Sequence, residues 1–461
     1  MHFPVFIRRL AGRHWDGSGG LAELLPIALP MVVSSASDTL MLFWDRWLLS
    51  QRGMLEMAAA FSGGLTAFLT ACFFLGVLGA ATPLASQYLG AGRPERAGAV
   101  LGQSLFFTCL VAPLLPLSAP LAGLLFRAFG HDGELLRLEL DYYFWMSFAH
   151  IPMLFKASFS AFFTALGRTG LVMGANLGAA LLNLPLAWLL ITGGGYFTGL
   201  GLKGAAIATG AAGMLGVALL ASQAFSPTCR QQFGTLAGLR WDGELMRRLL
   251  RFGLPGGAEF LMMMAGFNGF ILAFQSAGLL SAAAVTICFN WELLAFLPMT
   301  GLQVAVSSVS ARCLGAHDPA SAERAAFNGL RVAWGYSSLM AILFLIFAPQ
   351  LAAVFAGQEG SVEAADLAAD MLRLCAIYLL ADSAHLIFGG VLKGAGDVRF
   401  TLVTCTLIFW SLAGLTLLGV HLGYGPLALW SLFIVSMLIL GTVLYLRFRL
   451  GPWRSLRMIE E

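Results

Sequence analysis

Asp382 and His385 stand three residues apart inside Tyr378-Leu-Leu-Ala-Asp382-Ser-Ala-His385, well away from any polar stretch. On a helix that spacing sets carboxylate and imidazole side by side. Such a pair can hold a proton or a small cation, with the imidazole tuning the carboxylate. A transition metal would need a third ligand, and none converges in the sequence. A satisfied hydrogen bond between helices is the plain alternative. Asp45, within Trp44-Asp45-Arg46-Trp47, is either a carboxylate at the mouth of a cavity or the interfacial partner of Arg46. Asp38 lies seven residues earlier, nearly two helical turns, and can share that face. Glu259, Glu292, Lys156, Asn176, Asn183, Asn268 and Asn290 complete the polar set within apolar runs. Asparagines there often serve as glue between helices, and Lys156 can neutralise one of the carboxylates. An ionisable group at membrane depth costs about 2.5–3.5 kcal/mol on insertion scales, so each one needs a reason.

The elements that must position these groups are membrane-spanning helices. The 461 residues are 59% hydrophobic and 11% charged, roughly half the charge of a soluble chain. Phe400 to Leu446 contains no Asp, Glu, Lys or Arg, and neither do Thr169 to Leu202 or Met57 to Gly92. Such runs fit spans of about 20 residues. They lack the ten-residue alternation of a transmembrane barrel. Apolar runs between turn signals predict twelve helices near 22–50, 54–88, 97–128, 134–165, 169–192, 199–225, 244–276, 280–313, 322–355, 362–392, 398–420 and 425–448. The seven cysteines are scattered without a CxxC and read as small buried hydrophobes, not as disulfides or metal ligands. No GxSxG elbow, HExxH helix or histidine triad is present, so no enzyme is indicated.

The chain repeats itself. Tyr88-Leu-Gly90-Ala-Gly92-Arg-Pro94 returns as Cys313-Leu-Gly315-Ala-His317-Asp-Pro319, 225 positions later. The same offset links Leu29-Pro30 to Leu254-Pro255, and Leu166-Gly167-Arg168 echoes Ala395-Gly396-Asp397. Each copy reads as a tight helix hairpin, a left-handed glycine closing one helix and a proline opening the next. Asp318 is placed to be an N-cap. A phosphate loop is excluded, since no strand precedes the glycines and no Gly-Lys-Ser/Thr follows. Duplication puts function where the halves face each other. The expected organisation is an N-terminal segment 1–20, an N-lobe 21–225, a linker 226–243, a C-lobe 244–449 and a tail 450–461. Residues 1–20 carry Arg8, Arg9 and Arg13 without the apolar core of a signal peptide, so they read as an interfacial or disordered segment. Most Lys and Arg fall in the termini and in alternate loops. Asp132, Glu134, Glu139, Asp141, Glu359, Glu363, Asp366 and Asp370 gather in the opposite loops. The positive-inside rule then sets both termini in the cytoplasm. The net charge of +3 is this bias and does not indicate nucleic acid.

Over about residues 20–450 the chain resembles the multidrug and toxic compound extrusion (MATE) transporters. The resemblance is carried by Asp45 with Glu56-Met-Ala-Ala59, by Ala85-Ser-Gln-Tyr-Leu-Gly-Ala-Gly92 and by Thr164-Ala-Leu-Gly-Arg-Thr169. Asn183-Leu-Pro-Leu, Gly201-Leu-Lys-Gly-Ala-Ala-Ile-Ala-Thr209 and Phe289-Asn290 continue it. Leu294-Ala-Phe-Leu-Pro-Met-Thr-Gly301 and Gly389-Gly-Val-Leu-Lys-Gly-Ala-Gly-Asp397 complete it. The resemblance implies two pseudo-symmetric six-helix lobes around a V-shaped central cavity. It also implies export of organic, often cationic, compounds against inward proton or sodium flow. Asp45 matches the family's first-helix acid. Asp382 matches its tenth-helix aspartate, eleven residues before the basic position held by Lys393. Where the family's seventh-helix glutamate stands this chain has Met263, with Glu259 one turn earlier on the same face as its replacement. The fifth-helix pair of Asn and Asp reads Asn183 and Ala187.

The expected function is therefore an alternating-access antiporter in a bacterial or archaeal inner membrane, with no cofactor and acting as a monomer. Its expected coupling residues are Asp382, Glu259, Asp45, Asp38, His385, Asn183, Asn290 and Glu292, with sodium, if used, at Asp382 and Glu259. One rival is a flippase for a lipid-linked precursor, which would call for more spans and a basic cavity. The other is a non-transporting receptor or scaffold.

Overall fold

The computed structural model describes residues 15–52, 54–128, 131–194, 197–359 and 362–460. The basic positions Arg8, Arg9 and Arg13 lie outside them, as do the side chains of Arg46 and Glu359. The described chain is almost wholly helical. Its first half holds α1 (Leu21–Ser50), α2 (Met54–Gly79), α3 (Ala81–Gly90), α4 (Pro94–Val111), α5 (Leu114–Leu117) and α6 (Ala119–Ala128). After these come α7 (Gly133–Ala165), α8 (Thr169–Thr192), α9 (Leu202–Ala224) and the short α10 (Pro227–Phe233). The second half holds α11 (Gly243–Gln275), α12 (Leu279–Gly315), α13 (Pro319–Glu359), α14 (Val362–Ala395), α15 (Val398–His421) and α16 (Pro426–Leu450). A two-residue ribbon, Gly193–Gly194 against Phe197–Thr198, joins α8 to α9.

Among the described residues, eleven helical segments are long and apolar enough to cross a membrane. The twelfth long helix is α7, 33 residues, whose first turns carry Glu134, Arg137, Glu139 and Asp141 and whose remainder is diluted by tyrosine, serine and histidine. Two expected spans are interrupted, and proline explains both. Pro83 cannot donate to the preceding turn, and the helix breaks at Ala80 between α2 and α3. Pro113, Pro116 and Pro120 divide the expected 97–128 span into α4, α5 and α6.

The chain folds into two compact units, one of Met1–Val32 with Ala258–Glu460 and one of Val33–Gly257. Both boundaries fall inside a helix, two residues after the duplicated prolines Pro30 and Pro255, so the same point of each half changes unit. In the larger-numbered unit α14 is central, packed on α12, α13 and α16. α11, α12 and α16 build an aromatic core from Phe267, Phe270, Phe289, Trp430 and Phe433. In the other unit α7 is central, packed on α2, α4 and α9.

The hairpins form as expected, with a refinement. The left-handed residues are Gly92, Gly167 and Gly396. In the second copy of the motif His317 takes that role at φ 59°, the one non-glycine residue with positive φ among the described residues. Arg93 N–H donates to the Tyr88 carbonyl at 2.9 Å, and Asp318 N–H to that of Cys313 at 2.9 Å, closing the two turns alike. His317 Nδ1 lies 3.0 Å from Arg457 Nη2 of the tail, an added anchor for the unfavourable backbone. Asp318 caps α13, its Oδ1 accepting from Ser321 N–H at 3.0 Å. The Ser321 hydroxyl and N–H hold the Asp318 carboxyl below its ordinary range.

The segments leading into each half pack in corresponding ways. Trp15-Asp16-Gly17 leads into α1, and Trp241-Asp242 leads into α11, which opens at Gly243. Arg324, of the second half, donates to the Asp16 carbonyl at 2.7 Å, and Asn328 to that of Gly19 at 2.9 Å. Arg96, of the first half, pairs with Asp242 at 2.7 Å, and Gln103 donates to the Arg240 carbonyl at 2.8 Å. The Leu245 N–H and Arg96 hold the Asp242 carboxyl below its ordinary range. Each half therefore clamps the leader of the other. The stretch 226–243 is accordingly no slack tether: Ser226 caps α10, and Gly98 and Gly102 of α4 admit the backbone of Phe233 and Gly238, where a Cβ would overlap a carbonyl oxygen.

Candidate functional site

In the unit of 258–460 four buried polar side chains converge between α12 and α14. Glu292 comes from α12, and Tyr378, Asp382 and His385 come from α14 at intervals of four and three residues, one face of the helix. The Tyr378 hydroxyl donates to Glu292 Oε1 at 3.0 Å. His385 Nδ1 lies 3.0 Å from Asp382 Oδ1. Glu292 and Asp382 are close enough to repel one another. Both carboxylates are more than nine-tenths buried. A proton or a cation on either carboxylate would relieve that repulsion, which is scarcely screened there. One turn away, Cys288 and Cys375 touch at 3.6 Å between sulfurs, extending the contact between the same helices.

Glu259 does not join this cluster. Its Oε1 pairs with Lys393 Nζ at 2.8 Å and its Oε2 accepts from Thr401 at 2.7 Å. Lys393 is eleven residues from Asp382 along α14, about 16 Å of helix rise. The expected Asp382–Glu259 pairing is therefore corrected: the second carboxylate beside Asp382 is Glu292, and Glu259 is neutralised by a lysine. Met263 packs at the edge of the apolar core. Asn290 is exposed, and Asn268 donates to its own helix at Met264 O, 3.1 Å.

The unit of 33–257 carries a different arrangement. α1 and α8 place Asp38 and Asp45 opposite Asn176 and Asn183, each pair seven residues apart, two Asp–Asn rungs about 10 Å apart. On the second rung Asp45 Oδ2 accepts from Thr209 of α9 at 2.9 Å. Asn183 lies beside the same carboxyl. No hydrogen bond of good geometry joins them, however, and Asp45 Oδ1 and both polar atoms of Asn183 are buried without a partner among the described residues. Buried acceptors rarely stay unmatched, so the rung has the make-up of a seat for a proton or a small cation. Ala187, where a second acid could have stood, is fully buried among apolar side chains. On the first rung Lys156 Nζ reaches Asp38 Oδ1 at 3.1 Å, which identifies the carboxylate that Lys156 neutralises. Asn176 Nδ2 donates to Ser34 Oγ at 2.6 Å and approaches Asp38 Oδ2 at 3.4 Å.

Sequence reasoning missed three participants. Tyr378 was detectable, four residues before Asp382 and so on its face. Thr209 and Thr401 were not, because each meets its carboxylate across more than 140 positions of chain.

The MatE family model matches residues 30–189 and 255–419, once per half. A probable multidrug resistance protein NorM of Rhodopseudomonas palustris is 29% identical over 434 residues, covering 93% of this chain and 91% of that protein. The multidrug resistance protein PmpM of Pseudomonas aeruginosa is 26% identical, covering 96% and 94%. Among solved structures, a MATE protein in complex with MaL6 superposes with a TM-score of 0.85 at 22% identity, covering 94% of this chain and 96% of that one. A MOP-superfamily transporter from Pyrococcus furiosus superposes with a TM-score of 0.85 at 21% identity and the same coverage.

Proposed function

The chain belongs to the MatE family, and on that premise we propose that it exports amphipathic, cationic organic compounds across the inner membrane in exchange for protons or sodium. The observation that carries the coupling is the buried Glu292–Tyr378–Asp382–His385 cluster, two carboxylates on packed helices with no lysine or arginine against them among the described residues. The names of the relatives, multidrug resistance proteins, support the substrate class. A proton or sodium ion on the two carboxylates removes their repulsion and favours the α12–α14 arrangement that holds them close. Loss of that ion favours another arrangement. A ligand shifts such an equilibrium only by its differential affinity for the two states, and exchange follows if the organic cation prefers the ion-free state. The Asp45–Asn183–Thr209 rung supplies a second ion seat of lower charge. The protein works as a monomer in the bilayer, with both termini in the cytoplasm and no bound cofactor.

The test is ethidium movement into or out of proteoliposomes under a proton gradient or a sodium gradient, applied separately. Wild type should respond to one gradient. Asp382→Asn and Glu292→Gln should each lose that response, while Glu259→Gln keeps it. Gradient-driven transport surviving in Asp382→Asn would remove the coupling proposal.

A further inference from the structure

The Trp-Asp pair that leads into each half ends in opposite surroundings. Trp15, before α1, is 7% exposed, whereas Trp241, before α11, is 64% exposed. Trp241 is nonetheless held in place. Its ring meets Phe106 of α4 edge to face, the centroids 5.9 Å apart. Its indole nitrogen stands over the outer side of Gly243, where a Cβ would lie 3.5 Å from it. From Gly243 onward Arg247, Arg251 and Leu254 follow at steps of four, four and three, so they share that narrow face of α11. All three are exposed. Read from the start of the helix, the face therefore presents an indole N–H, two guanidinium groups and a leucine. Its charge is uncommitted. Among the described residues no carboxylate pairs with Arg247 or Arg251, while the nearby Arg96 and Arg248 are taken by Asp242 and Glu244. On α1 the residues 225 positions before Arg247 and Arg251 are Ala22 and Pro26, so the repeat does not carry this face.

We propose that the Trp241–Arg247–Arg251 face of α11 is a docking site for the headgroup of an anionic phospholipid. A change from cations to apolar side chains along one exposed face is what a helix presents where it passes from headgroups into hydrocarbon. The planar guanidinium forks of Arg247 and Arg251 match the phosphate oxygens. The Trp241 N–H supplies a neutral donor on the headgroup's outer side, and Leu254 lies toward the acyl chains. An anionic lipid is favoured over a zwitterionic one because no acid on this face offsets the two arginines. The inference does not depend on the transport reading.

The experiment titrates phosphatidylglycerol or phosphatidylcholine into detergent-purified full-length protein and follows the melting temperature, which a ligand of the folded state raises. Wild type should respond to phosphatidylglycerol at lower concentration than to phosphatidylcholine, and less so as salt is added. A surface arginine contributes about a fivefold gain in affinity for anionic lipid, so R247Q/R251Q should weaken phosphatidylglycerol binding by about 25-fold and leave phosphatidylcholine unchanged. W241F, which keeps the ring and removes the N–H, should weaken it to a lesser degree. R247K/R251K keeps the charge, should retain most of the binding, and serves as the second variant if the glutamines disturb folding, which circular dichroism reports. R399Q removes an exposed arginine of the other unit and should bind as wild type does. Equal responses to the two lipids in wild type would overturn the proposal. An equal loss in R399Q would reduce it to an effect of net charge and overturn it too. Inorganic phosphate giving the same rise as phosphatidylglycerol would assign a free-anion site and overturn the lipid reading.

Discussion

Removing Lys393 and removing Glu259 should have unequal effects, because the pair is unequally buried. The carboxylate is 3% exposed and the lysine 36%. Lys393→Met strands a buried carboxylate that keeps the Thr401 hydroxyl, 2.7 Å away, and the neighbouring Cys405 thiol. Orphaning one member of a buried pair costs about 3–5 kcal/mol, and the Thr401 bond argues for the low end, about 3. Glu259→Gln leaves the lysine, which water can reach, and the new amide can still accept from Thr401. Discounted for that solvation, the cost is about 1.5 kcal/mol. The double variant loses both charges together and should be destabilised by only about 1.5 kcal/mol, giving a coupling energy of about 3 kcal/mol. Chemical denaturation in detergent micelles for all four proteins closes the cycle, with ethidium transport measured beside it. If Glu259→Gln kept full stability yet lost its response to the driving gradient, Glu259 would be a coupling carboxylate and its assignment as the lysine's structural partner would be wrong. A coupling energy near zero would equally refute the argument from burial.

His317→Gly relieves a left-handed backbone that costs a side-chain residue about 1–2 kcal/mol, and should raise the unfolding midpoint unless the Arg457 contact offsets the gain; denaturant titration decides. Gly76→Ala places a Cβ 2.6 Å from the Gly256 carbonyl oxygen and from Gly257 Cα, forcing α2 from α11 at a cost of about 1–3 kcal/mol; a variant as stable as wild type would show that this crossing is loose. Tyr378→Phe removes the donor to Glu292 while preserving the ring's packing on Phe433, so ion affinity should weaken with little change in stability, as read by the gradient dependence of ethidium transport. Asp242 and Asp318 have depressed carboxyl pKa values in the folded chain. Their stabilisation is present above the unfolded value, about 3.9, and is lost as pH falls through the folded values. The destabilisation caused by Asp242→Asn should therefore be visible at neutral pH and fade as acid protonates the folded-state carboxyl.

Much of the scaffold was legible in the sequence because each helix announces itself locally. Charge-free runs mark the spans, and Gly92, Pro94, Gly167 and Pro319 mark the turns. Pro83 and the series Pro113, Pro116 and Pro120 carried the breaks too, but hydropathy averaged over them reads as one span. The acid cluster was half legible. Asp382 and His385 are helical neighbours, so their contact follows from spacing alone. Glu292 reaches them across 90 positions, and Glu259 is claimed by Lys393 across 134, choices that only the packing of α12, α14 and α11 makes. His317 in the left-handed position was hidden because its anchor, Arg457, lies in the tail.

The repeat unites turns and leaves the chemistry apart. The residue 225 positions after Asp45 is Phe270, fully buried and stacked on Phe433. The residue 225 before Glu292 is Ala67, buried in the core of the other unit. Neither Asp45 nor Glu292 therefore has an acidic counterpart, although the prolines and glycines around them do. This division has a physical basis. A left-handed turn or a close helix crossing constrains the backbone itself and admits few residues, so both halves keep those positions. A helix-face position tolerates aspartate, alanine or phenylalanine with the same backbone, provided a neighbour supplies volume or a hydrogen bond. Thr209 does so for Asp45, and Trp430 and Phe433 do so for Phe270. One fold repeated twice thus carries two buried polar clusters of unlike charge, a lone carboxylate among amide and hydroxyl groups in one unit and a carboxylate pair with a histidine in the other. Because they share no residue, substitution at Asp45 and at Asp382 should perturb ion binding independently.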